Sequence, residues 1–269
     1  MKKLRQLLCI SILILSACNE KKGSSNEVIT SDTIHEIENQ KEQLSKADQI
    51  IYETIEAHGG LLFDVANYSF TFRDKQYHFM NYSDGYTYSS QIKKKDTVIK
   101  DIITNGEFER YKNGILQNNT EEEIKKYTGA LNSVIYFATL PHKLKDSSVK
   151  KKYIEETKIK GKEYDVIEIT FNEDGGGQDY DDEFHYWINK NTKKIDYLAY
   201  NYQVNNGGVR FRVAYNSREI DGITFQDYVN YEAQLNTPLK DLPKLYENGE
   251  LKEISKIETE NISKNTNTK

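Results

Sequence analysis

From Tyr68 onward the chain is a succession of short aromatic and β-branched runs cut by tight-turn dipeptides. Tyr68, Phe70 and Phe72 alternate with Ser69, Thr71 and Arg73, the two-residue period of a half-buried strand. Similar runs follow at 76–82, 86–93, 97–104 and 107–112, divided by Asp84-Gly85, Lys93-Lys94-Lys95 and Asn105-Gly106. Asn113-Gly114 is a further hairpin signal, because Asn and Gly accept the positive φ that a two-residue type I′ turn demands. Strands are expected again at 151–160 and 163–172, joined through Gly161-Lys162, and then at 183–189, 194–205, 208–220 and 223–235. Asn191-Thr192, Asn206-Gly207 and Asp221-Gly222 join these, and a last strand falls near 250–259. Many strands with hairpin turns between neighbours predict a mainly β domain, one antiparallel sheet or barrel.

Three helices interrupt this pattern. Ser45 with Asp48 resembles a capping box, Ala47, Ile50, Ile51, Thr54 and Ile55 recur at helical spacing, and His58-Gly59-Gly60 supplies the stop, so a helix is expected over 46–58. Thr120 with Glu123 is a full capping box. It opens a helix over 120–139, with Ile124, Tyr127, Leu131, Val134, Ile135 and Ala138 on one side and an end near Pro141. A short helix is expected near 239–247.

The N-terminus reads as an address. Lys2, Lys3 and Arg5 precede an apolar run from Leu7 to Leu15, too short to span a bilayer but of signal-peptide length. It ends in Leu15-Ser16-Ala17-Cys18, which looks like the lipobox of bacterial lipoproteins. That likeness implies a signal peptide over 1–17, cleavage before Cys18, and acylation of the Cys18 thiol and amine. Several acyl chains anchor a protein stably, whereas one does so marginally. Cys9 leaves with the signal and Cys18 becomes a thioether, which excludes thiol catalysis and a disulfide framework. Asn19 in place of Asp after the cysteine favours the outer membrane of the cell envelope. Residues 18–44 are polar after Cys18 and read as a tether. Residues 45–260 read as a single domain and 261–269 as a frayed tail.

This arrangement resembles the lipoprotein-carrier fold of LolA, LolB and many uncharacterised exported lipoproteins. The resemblance rests on Ile50-Ile51-Tyr52-Glu53-Thr54-Ile55 in the opening helix and on the mid-chain helix over 120–139. It also rests on Phe184-His185-Tyr186-Trp187-Ile188-Asn189-Lys190-Asn191-Thr192, and on Asp221-Gly222-Ile223 before a strand. It implies an incomplete antiparallel β-barrel, a strongly curved sheet whose concave face is covered by helices and can hold acyl chains. The expected function is therefore a membrane-anchored exported lipoprotein that binds a lipid or another apolar or amphipathic ligand in that face. The alternative is a non-enzymatic envelope or surface module, with a filled barrel, that binds a protein or glycan.

If the helix over 120–139 lies across the concave face, its Tyr127, Leu131, Val134 and Ile135 should line the ligand site. Their strand partners should come from one pleat face of the central strands, with Tyr200 and Tyr202, or Phe211, Val213 and Tyr215, as candidates. The stretch from Glu173 to Glu183 holds six carboxylates and three glycines, and Asp179, Asp181, Asp182 and Glu183 could surround Ca²⁺. The spacing does not match an EF-hand, and a solvated acidic loop is the simpler reading. His58, His78, His142 and His185 form no metal-ligand pair by spacing, and His58 suits a helix C-terminus. Gly59-Gly60 and Gly207-Gly208 lack any phosphate-loop context, and no nucleophile elbow occurs. With no catalytic residue nominated, no enzyme and no cofactor is expected. A net charge of -5 argues against nucleic acid, and a monomer is expected. The lysine runs at 93–95 and 150–152 read as charges that protect turns and sheet edges.

Overall fold

The hairpin signals take their turns as the turn chemistry requires. Asn105-Gly106, Asn113-Gly114, Lys160-Gly161 and Asp221-Gly222 all carry positive φ at both residues, the type I′ signature. Gly85 is required for a different reason: a Cβ there would fall 2.0 Å from Asn105 Oδ1, the atom that accepts the Tyr86 backbone N–H at 2.8 Å. The computed structural model describes residues 44–172, 182–203 and 206–266. The signal, Cys18 and tether expected before residue 44 lie outside them, and Leu44–Lys269 forms one compact unit.

The strands are β1 (Asn67–Phe72), β2 (Lys75–Tyr82), β3 (Gly85–Lys94), β4 (Thr97–Thr104), β5 (Glu107–Lys112), β6 (Ile115–Leu116) and β7 (Val149–Ile159). They continue as β8 (Lys162–Phe171), β9 (Phe184–Asn189), β10 (Ile195–Tyr202), β11 (Gly208–Ile220), β12 (Ile223–Ala233), β13 (Lys252–Ile257) and β14 (Glu260–Lys264). All described pairings are antiparallel, in two seven-stranded ladders: β14-β1-β2-β3-β4-β5-β6 and β13-β12-β11-β10-β9-β8-β7. Neither ladder closes on itself, so the fold is the mainly β, open antiparallel type that the hairpin spacing and the resemblance predicted. Lys150, Lys151 and Lys152 sit on β7, an edge strand, where charge discourages further pairing.

The tail is a correction. Residues from 261 were expected to fray, yet β14 pairs with β1, and Asn265 donates to the Asn67 carbonyl at 2.8 Å and to Ser69 Oγ at 2.9 Å. Polar composition suggested a loose end, but β1 would otherwise present an unpaired edge, and the tail satisfies it.

Helix α1 (Lys46–His58) is capped by Ser45, whose Oγ accepts from the Asp48 N–H at 3.1 Å. Helix α2 (Glu121–Ala138) has both halves of the Thr120–Glu123 capping box. Helix α3 (Leu242–Glu247) follows a 3-10 turn at Leu239–Asp241.

The second ladder is covered on both faces. One face, with Ile167, Phe184, Tyr186, Ile188 and Leu198, packs on Ala47, Ile50, Ile51 and Ile55 of α1. The other, with Val166, Trp187, Ala199 and Phe211, packs beneath Leu239, Leu242 and Tyr246. Every residue of β9 is therefore buried, which is why Phe184-His185-Tyr186-Trp187-Ile188-Asn189 shows no alternation. The first ladder buries Tyr68, Phe70, Phe79, Tyr88 and Ile103 with Leu131 and Ile135 of α2.

His58 ends α1 as anticipated, but as a buried neutral ring. Its Nε2 accepts the Ile195 backbone N–H at 3.3 Å, and burial, helped by nearby Lys194, pushes its pKa down to about 3. His142, stacked on Phe63 with centroids 5.0 Å apart, is pushed down to about 4, mainly by burial. Unfolded, both rings take a proton near the ordinary pKa of about 6.5, so the unfolded state gains protons first as pH falls. Their contribution to stability is whole above that value and is lost between it and the folded pKa values. The unfolding free energy from urea titrations should drop by about 2 kcal/mol per buried histidine between pH 7 and pH 5, at about 1.4 kcal/mol per pH unit. A profile flat over that interval contradicts the neutral, buried assignment.

Candidate functional site

Two depressions flank the second ladder on opposite faces. The β10–β11 register sets Leu198 opposite Arg212 and Tyr200 opposite Arg210, and Ala199 opposite Phe211 and Tyr197 opposite Val213. Successive residues point to opposite faces, so Tyr200 and the two arginines share the α1 side while Phe211 and Val213 face α3.

The nine residues expected around a ligand are consequently not brought together. Leu131 and Ile135 are buried against the first ladder, not across the central strands of the second. Tyr127 lies over the Arg110 guanidinium, 3.2 Å from ring centroid to Cζ, beside Phe108 of β5. Phe211 stacks on Tyr197, with centroids 5.6 Å apart, in the core under Tyr246, and Val213 packs there too. Tyr215 donates to Glu258 at 2.7 Å and Tyr202 accepts from Arg210 at 2.6 Å. Val134 lines a crevice beside α2, and Tyr200 packs on Phe137 of that helix. The cause is that α2 has a second apolar flank outside the stripe read at helical spacing. Tyr136 and Phe137 meet Phe184, and Phe137 also meets Tyr200 at 5.5 Å.

Between that flank and the second ladder is a crevice of about 200 Å³, walled by rings and aliphatic groups such as Phe72, Val134, Phe137 and Tyr228 and by polar groups including Arg73, Gln226, Asn230 and Ser255. Arg212 lines it with 7% of its surface exposed. Its Nη2 donates to Tyr200 Oη at 2.8 Å and its Cζ lies 3.7 Å from the Phe137 ring centroid, while Nε and Nη1 have no hydrogen-bond partner. Asp227 on β12 is committed to Arg218, Asn216 and Thr259. Burial raises the Tyr228 hydroxyl well above the ordinary phenol range, and Arg212 opposes the shift. Arg212 is thus a buried guanidinium with two donor atoms that lack a protein partner, which is costly in a low-dielectric interior. Arg212 was missed because Phe211-Arg212-Val213 reads as alternation with the arginine in water. Burial of both ladder faces reverses that reading.

The second depression, of about 500 Å³, lies on the α3 side, lined by polar groups such as Asn201, Asn236 and Thr237 together with Val209, Leu235 and Leu239. Glu168, Glu183 and His185 stand at its wall. His185 Nε2 is 3.0 Å from a Glu183 oxygen and 3.8 Å from a Glu168 oxygen. Burial holds the imidazole below its ordinary pKa, against the pull of both carboxylates. Of the carboxylates expected around Ca²⁺, Glu183 joins this group, Asp182 is buried nearby in sequence, and Asp179 and Asp181 lie outside the described residues. Among the described residues no helix is long and apolar enough to cross a membrane.

The class is thus an open antiparallel β protein with helices packed against its sheets. The chain belongs to DUF6503, a family of unknown function, which matches residues 2–259. No protein of curated function matches it. It is similar to a LolA superfamily protein from Nitrosomonas europaea at 9% identity, with a TM-score of 0.46, over 82% of this chain and 94% of that one. A putative outer membrane lipoprotein-sorting protein domain from Vibrio parahaemolyticus is similar at 10% identity and a TM-score of 0.41, over 75% of this chain and 97% of that one. A DUF1329 family protein from Desulfovibrio piger matches at 10% and 0.41, over 84% and 96%.

Replacing Arg212 tests whether its burial serves the fold. Arg212→Met keeps most of the volume and removes the unpaired charge, so unfolding free energy should be unchanged or rise by about 1–3 kcal/mol. A loss beyond about 2 kcal/mol in a denaturant titration would show that the arginine is structural.

Proposed function

We propose that this protein is an exported, lipid-anchored envelope protein that binds an amphipathic ligand, an acyl chain with an anionic head, between α2 and the second ladder. The observation that carries the reading is Arg212, buried at the crevice wall beside Phe137 with two unpartnered donor atoms. A carboxylate or phosphate supplies a charged partner for the guanidinium, and the aromatic rings of the wall receive the tail.

The crevice of about 200 Å³ is smaller than the roughly 300–1,000 Å³ of ordinary ligand sites, so a long tail needs α2 to shift. Two features of α2 favour movement. Among its residues Leu131 and Ile135 are the ones buried, and its Tyr136–Phe137 flank meets rings that an acyl chain could replace. Anchoring through Cys18 is supported by the lipobox-like Leu15-Ser16-Ala17-Cys18 and fits an outer-membrane location. The reading of a protein- or glycan-binding module draws its support from the α1-covered face, where Tyr186, Ile188 and Leu198 are fully packed.

A fluorescent fatty acid, cis-parinaric acid, separates the two. The wild type should bind it, Arg212→Met should bind at least about tenfold more weakly, and the matching fatty alcohol should bind weakly to both, a difference of about 1.4 kcal/mol or more. Leu131→Asp should raise hydrophobic-dye binding while the circular dichroism of the sheet persists. Equal binding of acid and alcohol, or global unfolding of Leu131→Asp, would remove the anionic-head and movable-helix parts of the reading. Mass spectrometry of detergent-extracted protein should show acylation at Cys18, and Cys18→Ala should release the protein from membranes.

A further inference from the structure

The α3 side of the second ladder carries a group of side chains that amphipathic-ligand binding does not use. Glu168 on β8 is the direct cross-strand partner of His185 on β9, and Glu183 precedes His185 by two residues, so all three project from one face. One ligand atom from each lies within 4.8 Å of the others. The closer separations, 3.0 and 3.8 Å, bracket the roughly 3–3.5 Å expected between donors that share an ion at about 2.0–2.2 Å.

The histidine is the second, independent observation. Its side chain is 7% exposed and lines the cavity. Nδ1 has no partner, and Nε2 is in polar contact with both carboxylates, the closer being Glu183. Three donor groups thus converge on one region, where an ion would replace the contacts between the imidazole and the carboxylates. Glu183 is steadied from behind: its backbone N–H donates to Asn201 Oδ1 at 3.2 Å, and Asn201 Nδ2 reaches its Oε2 at 3.4 Å. Lys152 Nζ contacts Glu168 at 3.3 Å from a side chain 67% exposed, so it can leave for water when a cation arrives.

We propose that Glu168, Glu183 and His185 form a binding site for a divalent cation of the Zn²⁺ type. One imidazole nitrogen with carboxylate oxygens selects borderline transition-metal ions over Ca²⁺ and Mg²⁺, which take all-oxygen shells. Three protein ligands leave a coordination position open, and here it faces a cavity of about 500 Å³. The site therefore shares only Glu183 with the Ca²⁺ loop expected at 179–183 and differs from it in metal and in its other ligands. It stands on the ladder face opposite Arg212 and does not depend on lipid binding.

The test is a Co²⁺ titration of the chelator-treated full-length protein, with Zn²⁺ competition. The wild type should develop visible d–d absorption at one equivalent, and Zn²⁺ should abolish it. His185→Gln, and separately Glu183→Gln, should weaken binding by about 100-fold or more. Asp179→Asn with Asp181→Asn should leave it unchanged. Circular dichroism checks that each variant is folded, and Glu168→Gln, on a carboxylate near the surface, provides the measurement if His185→Gln is not. Zn²⁺ should also raise the thermal midpoint of the wild type and not that of folded Glu168→Gln. Absence of d–d bands, Co²⁺ binding indifferent to Glu168→Gln and Glu183→Gln, or Ca²⁺ bound more tightly than Zn²⁺ would overturn the assignment.

Discussion

The two-sided packing of α2 is the constraint that links the two ladders and sets what lies between them. Leu131 and Ile135 enter the first ladder's core, and Tyr136 and Phe137, next to Ile135 in sequence and turned around the helix axis, meet aromatic rings on the second. An α-helix advances about 100° per residue, so neighbouring residues face different elements, and a single helix can seal two sheets at once. Burying each of these large side chains contributes on the order of 1.5–3 kcal/mol. The same arrangement leaves a crevice beside Phe137, since a helix shared between two surfaces cannot close fully on both.

Covering the second ladder on both faces has a chemical consequence. Its side chains have no solvent face over the central strands, so polar residues there enter a low-dielectric interior. Arg212 and His185 are the outcome, one toward α2 and one toward α3. Leaving polar groups unpaired inside a protein costs about 1–3 kcal/mol each or more, and a folded chain retains such a cost where something else is gained. Asp227 shows the contrast: equally buried, it is satisfied by Arg218, Asn216 and the Thr259 backbone, and it serves to join β11 to the segment before β14.

Much of the fold was legible because its signals are local. Capping boxes at Ser45 and Thr120, Asn-Gly and Asp-Gly turns, and alternation in β1 each depend on residues within a few positions. The division of strands into two ladders and the return of β14 to β1 were not legible, because they join residues almost two hundred positions apart. The candidate site was legible only in fragments. Val134 lines the crevice beside Phe137 and Tyr200 packs on Phe137, whereas Phe211, Val213 and Tyr127 belong to other surroundings. Glu183 was singled out with its acidic neighbours in sequence, whereas its partners in space are Glu168 and His185.

The sequence by itself determined the strand-rich architecture, the positions of its turns and the two long helices, since backbone preference and two- or 3.6-residue periodicity are short-range properties. It also carries the lipobox-like N-terminal segment, a linear signal whose reading needs no fold. Which face of each strand is wet was a matter for tertiary structure, because alternation specifies two faces and not what covers them. α1, α2 and α3 cover both faces of one ladder and thereby turn an arginine and a histidine, unremarkable in the linear chain, into buried groups with unused bonding capacity.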